Sequence, residues 1–498
     1  MNISNWIEGW ARLAPQATAV RFGGDAISFA ALAARVRGAA AALSAAGVKR
    51  SDRVAYLGLN SPAQLALLFA CARLGAIFVP MNWRLAAPEH SMTLADCSPA
   101  ALLIDPAFER DAGAIEHKPP VALVCDPQCE WLGSYGDDTP DPRGIGERDP
   151  VLLSYTSGST GRPKGVVLSH EALLFNAINS THLHALRSSD TVLTSLPLFH
   201  VGGLNNQTLP ALHAGACVLL HAKFDPDAAF DAIEGGEVTL TCLVPAQLDM
   251  MMASPRWERA SFGGLRMIAT GSTLIPERVS RAVHAKGVPL VQIYGATETC
   301  PIATYLPAAD AMRVPGSAGK AAVHCEVRVV DETGAARACG EIGEIEVRGP
   351  NLMTGYWGMP QESARALREG WYRTGDAGYF DEQGYLHVSG RLRDVVITGG
   401  ENVYPAEVEN ILAESAELRE AAVVGQPDER WGEIVVAVVV RSEGSTIDEA
   451  GVRECLRDRI ARYKHPRRVV FVDALPRTAL GKVRKEEVRR IVENSKWH

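Results

Sequence analysis

Residues 156–165, Thr-Ser-Gly-Ser-Thr-Gly-Arg-Pro-Lys-Gly, lie between two apolar runs and constrain the fold of this chain more than any other stretch. Glycines at 158, 161 and 165 allow tight backbone curvature and close approach, so that consecutive N–H groups can converge on an anion. Thr156, Ser157, Ser159 and Thr160 add hydroxyl donors, and Lys164 adds a point charge. Residues 151–155 (Val-Leu-Leu-Ser-Tyr) read as a buried strand entering the loop and 166–168 (Val-Val-Leu) as one leaving it. Ser169 is placed to cap a helix, with Glu171 in its first turn and Asn176 near its end. Such a strand, loop, strand and helix suit phosphate. A Ser/Gly linker is a poor alternative, because linkers seldom join two apolar strands. A Walker-type loop is excluded, because it needs Gly before its Lys and Ser or Thr after, whereas Pro163 and Gly165 flank Lys164.

At 498 residues the chain exceeds one comfortable core, so two or more domains are expected. With 47% hydrophobic residues it has ample material for large cores, and a net charge of −8 gives no reason to expect a nucleic-acid partner. Ten cysteines are scattered; Cys125 and Cys129 come nearest to a pair, but no second pair or nearby His completes a zinc pattern. This usage points to a reducing cytoplasm. No signal peptide is read at the N-terminus, where Trp6, Ile7, Trp10 and Leu13 outline one apolar helical face. The greasiest stretch, 63–80, is interrupted by Arg73 and Gly75 and reads as a buried helix running into a strand, so no integral membrane segment is expected. GxGxxG, GxSxG and HExxH patterns are missing, which disfavours dehydrogenase, serine hydrolase and zinc protease chemistry.

Helical and strand patterns alternate to about residue 300, the sign of parallel sheets covered by helices. Residues 30–46 read as a helix ended by Gly47, 53–57 as a strand, 226–234 as a helix capped by Asp225, and 239–244 as a strand. From 316 to 388 the pattern changes to short β-like runs with turns at 331–334 and 381–384, a small β-rich unit. After 390 the alternation resumes on a smaller scale: a helix over 405–415, strands over 421–424 and 434–440, and a helix over 448–463. About a hundred residues suit a separate small domain.

The loop at 156–165, together with Tyr294-Gly295-Ala296-Thr297-Glu298, Tyr372-Arg373-Thr374-Gly375-Asp376, Gly390-Arg391-Leu392-Arg393-Asp394 and residues 476–482 (Pro-Arg-Thr-Ala-Leu-Gly-Lys), resembles the motifs of the adenylate-forming superfamily in order and spacing. That superfamily contains acyl-CoA synthetases, nonribosomal peptide adenylation domains and luciferases. The resemblance spans nearly the whole chain. It implies an α/β protein with a large N-terminal domain, residues 1–392, of parallel-sheet subdomains plus a small β-rich subdomain. A smaller, mobile α+β lid, residues 393–498, would follow, hinged at Arg393. It further implies ATP, Mg²⁺ and CoA as the ligands.

By the same resemblance, Thr156, Ser157, Gly158, Ser159, Thr160, Gly161 and Lys164 hold the β- and γ-phosphates. Thr297 meets the α-phosphate, and Glu298 helps bind Mg²⁺, a cation that prefers oxygen ligands. Tyr294 offers a face to adenine, and Ser272 lies in the same crevice at strand ends. Its segment, Gly271-Ser272-Thr273, departs from the family's Gly-Ala-Pro wording. Asp376 accepts from the ribose hydroxyls, with Arg391 as a second ribose contact. Lys482 is the catalytic ammonium that bridges carboxylate and α-phosphate oxygens. Gly399, Gly400 and Glu401 present the face used for thioester formation after the lid rotates.

Residues 196–203 (Leu-Pro-Leu-Phe-His-Val-Gly-Gly) resemble the border of the acyl pocket in CoA ligases. An amino-acid adenylation domain usually carries Asp where His200 stands, so an acid with an uncharged tail is favoured. His200, Gly202, Gly203, Gly271, Gly295, Ala296, Ile302 and Ala303 outline a small, mostly apolar wall with room for an aliphatic chain or an aromatic ring. The resulting expectation is an AMP-forming acid:CoA ligase in which His200 belongs to the catalytic region. A ligase that loads a carrier-protein phosphopantetheine and a non-catalytic nucleotide-binding regulator remain as alternatives. The identity of the fatty or aromatic acid, and the choice between monomer and homodimer, stay open.

Overall fold

The computed structural model describes residues 2–125, 144–157, 163–271, 275–398, 401–478 and 481–495. Among these residues the strands form four sheets, and the chain is α/β, as expected. In the nine-stranded sheet six neighbours run parallel: Thr18–Phe22, Cys217–Leu220, Thr191–Thr194, Leu240–Cys242, Met267–Thr270 and Leu290–Tyr294. Antiparallel strands close both of its edges. In the seven-stranded sheet, parallel strands from Val121–Val124 to Pro150–Ser157 give way to antiparallel Pro163–Ser169 and Gly355–Tyr356. The sheets are therefore mixed, where alternation alone predicts parallel ones. The physical reason lies in the phosphate-type loop: a connection this short cannot hold a crossover helix, so its flanking strands pair as a hairpin.

The helix Pro62–Leu74 lies between the two large sheets. Every residue from Pro62 to Ala72 is buried. Its core neighbours include Val54, Phe78 and Val151 of one sheet and Val192, Val218 and Val291 of the other. A helix apolar on all sides is stable in water only when covered on all sides, which explains the greasy run at 63–80 without a membrane. Ser61 caps its start and Gly75, at φ 71°, ends it. No helix among the described residues is long and apolar enough to cross a membrane.

The β-rich unit is an antiparallel sheet that includes Glu326–Val330, Gly343–Arg348, Trp371–Phe380 and Leu386–Arg391. Beyond it, the hairpin Leu418–Asp428 and Gly432–Arg441 is covered on opposite faces by the helices Pro405–Leu412 and Lys485–Asn494. Three local expectations change. The helix after Ser169 runs on to His184, because Asn176, Ser180 and His184 are buried beside Ala177 and Leu183 instead of ending it. The helix expected over 448–463 shortens to Glu449–Glu454, with Asp458 at φ 61° turning the chain before a 3₁₀ turn at Arg462–Lys464. Leu13 is 75% exposed and does not share the packed face of Trp6 and Ile7.

One polar residue joins the large sheets at the level of the site. Buried Asn60 donates from Nδ2 to Leu196 O at 2.9 Å and His221 O at 3.0 Å, and its Oδ1 accepts from Leu198 N at 2.8 Å. The loop carrying Phe199 and His200 is therefore fastened to the segment that starts the central helix. Asn60→Ala strands three backbone groups, each costing about 1–3 kcal/mol when buried without a partner. The expected outcome is a lower urea midpoint with increased protease cleavage near 196–200; an unchanged midpoint would count against this fastening.

Candidate functional site

The candidate site lies where the parallel strands of the nine-stranded sheet end. Strand Leu290–Tyr294 delivers Tyr294 at its last position, and a 3₁₀ turn at Thr297–Thr299 follows immediately. Tyr294 donates its hydroxyl to Asp376 Oδ2 at 2.9 Å. Asp376 and Arg391 face each other in register on neighbouring strands, and Arg391 Nε meets Asp376 Oδ1 at 2.8 Å. Arg391 Nη1 also donates to Thr374 O at 2.9 Å, which fixes the guanidinium plane. Burial pushes the Asp376 carboxyl above its ordinary range, opposed by the Arg391 charge and the Tyr294 hydrogen bond.

Lys482 reaches the same crevice from the far end of the chain. Its loop closes on itself, Thr478 N donating to Lys482 O at 2.7 Å and Lys482 N to Thr478 Oγ1 at 3.2 Å. Gly481, at φ 79°, lies against Ala246 of the large body. Burial lowers the Lys482 ammonium pKa, the Arg391 charge lowers it further, and Asp376 and Glu298 oppose the drop. His200 lies within reach of the Lys482 charge. Burial first, and then that charge, pull His200 down to about 3. It is therefore neutral at ordinary pH, with Nδ1 accepting from Gly202 N at 3.0 Å and the proton left on Nε2.

The opposite wall belongs to the phosphate-type loop. Thr156 and Lys164 are partners in the hairpin register, and Thr156 Oγ1 lies 3.5 Å from Lys164 O. The Lys164 ammonium sits 5.3 Å from the centre of the Tyr356 ring. Tyr356 in turn donates its hydroxyl to Glu298 Oε1 at 2.8 Å. Its strand pairs with the one leaving the loop, Tyr356 opposite Val166, while Met353 N donates to Glu298 O at 2.8 Å. One short segment thus stitches the lysine of the loop to the carboxylate of the turn. Neither Tyr356 nor Asn351, which donates to Thr299 O and Ile302 O and so holds the turn, is singled out by sequence patterns. Gly355-Tyr356-Trp357 carries an aromatic pair after a glycine, and a tyrosine in a β run reads as core.

Residues 200, 298, 376, 391 and 482 are brought together electrostatically. Thr297 is buried beside Glu298. The acyl-wall residues differ among themselves. The bare side of Gly202 opens toward His200 and Asn206. A side chain on Gly203 would strike Pro197 O, one on Gly271 Ile293 O and one on Gly295 Pro301 O, so backbone fills those directions. Ile302 and Ala303 are fully buried, and Ala296 packs against the same core. Glu401 and Arg393 are exposed, and neither is among the groups that surround Lys482. Gly158, Ser159, Thr160, Gly161, Ser272, Gly399 and Gly400 lie outside the described residues, as does the side chain of Ser157.

Three cations, Lys164, Arg391 and Lys482, border a crevice with two carboxylates, Asp376 and Glu298, a surplus that suits a polyphosphate ligand. A parallel-sheet body with this crevice at its strand ends belongs to the class of nucleotide-dependent α/β enzymes. Residues 7–357 match the model of the AMP-binding enzymes and residues 407–482 that of the AMP-binding enzyme C-terminal domain. The chain belongs to the AMP-binding enzyme family. An indoleacetate–CoA ligase of Aromatoleum aromaticum is 56% identical over 99% of this chain and 98% of its own. A feruloyl-CoA synthase of an Amycolatopsis species is 43% identical over 98% of each. ATP-bound MatB of Rhodopseudomonas palustris superposes with a TM-score of 0.91 at 35% identity, covering 99% of both chains. Structures of relatives hold ATP, and ATP with a magnesium ion.

Tyr356→Phe removes only the hydroxyl that holds Glu298 while keeping the backbone pairing. A hydrogen bond to a charged group is worth about 1.5–3 kcal/mol, so the Mg²⁺ concentration needed for tight ATP binding should rise roughly ten-fold or more. Calorimetric titration of ATP at stepped Mg²⁺ checks this, and an unmoved Mg²⁺ dependence would show that the phenol does not position Glu298.

Proposed function

We propose that this protein is an AMP-forming acid:CoA ligase acting on an aryl or arylalkyl carboxylic acid. The observation that carries the reading is the arrival of the Lys482 charge in the crevice bounded by Asp376, Glu298 and His200. In the first half-reaction a carboxylate oxygen attacks the α-phosphorus of ATP, the bond to the β-phosphate bridging oxygen breaks, and pyrophosphate leaves. Lys482 donates to the carboxylate and α-phosphate oxygens, where negative charge gathers. Asp376, held by Arg391 and Tyr294, accepts from the ribose hydroxyls and fixes the nucleotide. Residues 156–161 and Lys164 take the β- and γ-phosphates, and Thr297 meets the α-phosphate. Glu298 would hold Mg²⁺, which supplies neutralisation of phosphate charge. Neutral His200 borders the acid without adding charge, which favours an uncharged tail.

In the second half-reaction the CoA sulfur attacks the acyl carbonyl, AMP departs, and the thiol proton is released. The same crevice must then lose Lys482 and admit a thiol. The proposed division is a body of residues 1–392 and a lid of 393–498 that turns about Arg393, bringing the face at 399–401 to the cleft. Support comes from the exposed turn Leu392–Asp394 directly after Arg391, and from Asp394, which accepts from Arg489 Nη2 at 2.7 Å and so travels with the helix Lys485–Asn494. A cytoplasmic location is proposed on the nine described cysteines, all free thiols and seven of them buried.

Acid-dependent pyrophosphate release over a panel of carboxylates tests the reading. Lys482→Ala should cost about 10²–10³-fold in that step, the scale of losing a strong oxyanion donor, and spare thioester formation from supplied acyl-adenylate. Equal damage to both steps would refute the division of labour. The pH profile supplies a signed check. Lys482 acts as an ammonium with a lowered pKa, so activity falls on the alkaline side below the usual lysine range; Asp376 acts ionised with a raised pKa, so the acid limb lies above the usual aspartate range. In Lys482→Arg the alkaline limb should vanish from whatever activity remains, since a guanidinium does not titrate there. Arg393→Pro should slow the second half-reaction more than the first, and unchanged rates in both would remove the hinge from 393.

A further inference from the structure

We propose that the acid bears a hydrogen-bond donor on its ring, an N–H or O–H, and that Asn206 is the acceptor that selects for it; this rests on the ligase reading above. After His200 the helix Val201–Gly203 opens into a π turn at Leu204–Thr208 before tightening again at Leu209–Ala214. Such turns widen the helix and recur at functional sites. Here it places three consecutive amides in the interior: Asn205, Asn206 and Gln207 are 0%, 7% and 3% exposed. Each spends its N–H₂ group weakly. Asn205 donates toward Cys300 Sγ at 3.5 Å, Asn206 toward Cys242 Sγ at 3.7 Å, and Gln207 to Thr241 O at 3.3 Å. On all three the carbonyl oxygen has no partner among the described residues. A buried acceptor without a donor is costly and calls for an explanation.

The three have different surroundings. Gln207 lines a cavity of about 10 Å³ with Ser195, whose hydroxyl is also unpartnered, and one water accounts for both. Asn205 is wholly enclosed against the thiol of Cys300. Asn206 adjoins a gap instead. A Cβ on Gly202 would stand 3.0 Å from His200 Nδ1 and 4.0 Å from Asn206 Nδ2, so His200, the bare side of Gly202 and Asn206 form one strip. Its first member feels the Lys482 charge, which marks the carboxylate end. Six residues of helix separate His200 from Asn206, about 9 Å at 1.5 Å per residue. That is the reach of an aryl group joined to its carboxylate through a short spacer. The wall around Asn206 carries no charge, since burial pushes the Cys242 thiol up to about 12.

A ring lying along Gly202 therefore brings its far edge to an amide oxygen that lacks a donor. An acid with an N–H or O–H at that edge supplies it, whereas one without leaves the oxygen buried and unpaired. Discrimination by a polar site built for a donor is much steeper than discrimination by shape. The named acids of two relatives have this chemistry: indoleacetate carries a ring N–H and ferulate a phenolic O–H.

Matched pairs test the proposal on the full-length enzyme: indole-3-acetate against 1-benzofuran-3-acetate, and 4-hydroxycinnamate against 4-fluorocinnamate, read as kcat/KM for pyrophosphate release. In at least one pair the donor acid is expected to lead by about ten-fold or more. Asn206→Leu, or Asn206→Ser if the first variant does not fold, should narrow that lead to about three-fold or less by slowing the donor acid selectively. Wild-type ratios near unity in the accepted pairs overturn the proposal, as does a variant that slows both members equally. Turnover of hexanoate or benzoate with neither pair accepted overturns it while the ligase reading stands. Pyrophosphate release with no acid at all overturns both.

Discussion

The ion pair between Asp376 and Arg391 is the contact around which the crevice is assembled. It joins two strands of the β-rich sheet in register, and the Tyr294 hydroxyl ties it to the last residue of a strand in the nine-stranded sheet. Arg391 also ends the last strand before the exposed turn at Leu392–Asp394, so the pair stands at the border between body and lid. A buried carboxylate beside one guanidinium is tolerable only with further hydrogen bonds, and Tyr294 and Thr374 supply them. The arrangement keeps Asp376 rigid, a condition for binding two ribose hydroxyls with little loss of entropy.

Around this fixed point the remaining charges are held by unlike means. Glu298 is kept by a phenol, Lys164 rests on the face of the same ring, and Lys482 is carried on a self-closed loop that makes no hydrogen bond printed in common with the body. Fixed groups serve the nucleotide. The group on the loop is the one that must be withdrawn before a thiol can enter. The division between rigid and removable charge follows the division between the two half-reactions.

Much of the fold was legible because it depends on local patterns. Strand 53–57 is observed at its predicted bounds, and the helix after Ser28 and the strand ending in Thr270 follow from cap and periodicity. The motifs carrying Glu298, Asp376, Arg391 and Lys482 could be found because each combines glycines or a turn with a charge, a pairing that a core segment seldom shows. What remained hidden depends on long-range partners. Tyr356 looks like any strand tyrosine until its strand is seen beside the loop hairpin, and Asn60 looks like a cap neighbour until two distant carbonyls meet it. The helix expected at 448–463 failed because nothing local announces that Asp458 turns the chain in the left-handed region. His200 was visible as a wall residue, but its neutral state arises from enclosure and from a lysine 282 positions later.

The pairing of Gly355–Tyr356 with the strand leaving the phosphate loop bears on how the protein is made. During synthesis the strand Pro163–Ser169 emerges nearly two hundred residues before the segment that covers it. Until then the seven-stranded sheet presents an open row of backbone donors and acceptors, the kind of edge that recruits foreign strands. A nascent chain of this protein therefore depends on shielding by chaperones for longer than its compact core would indicate, and stalled translation before residue 355 leaves an aggregation-prone fragment.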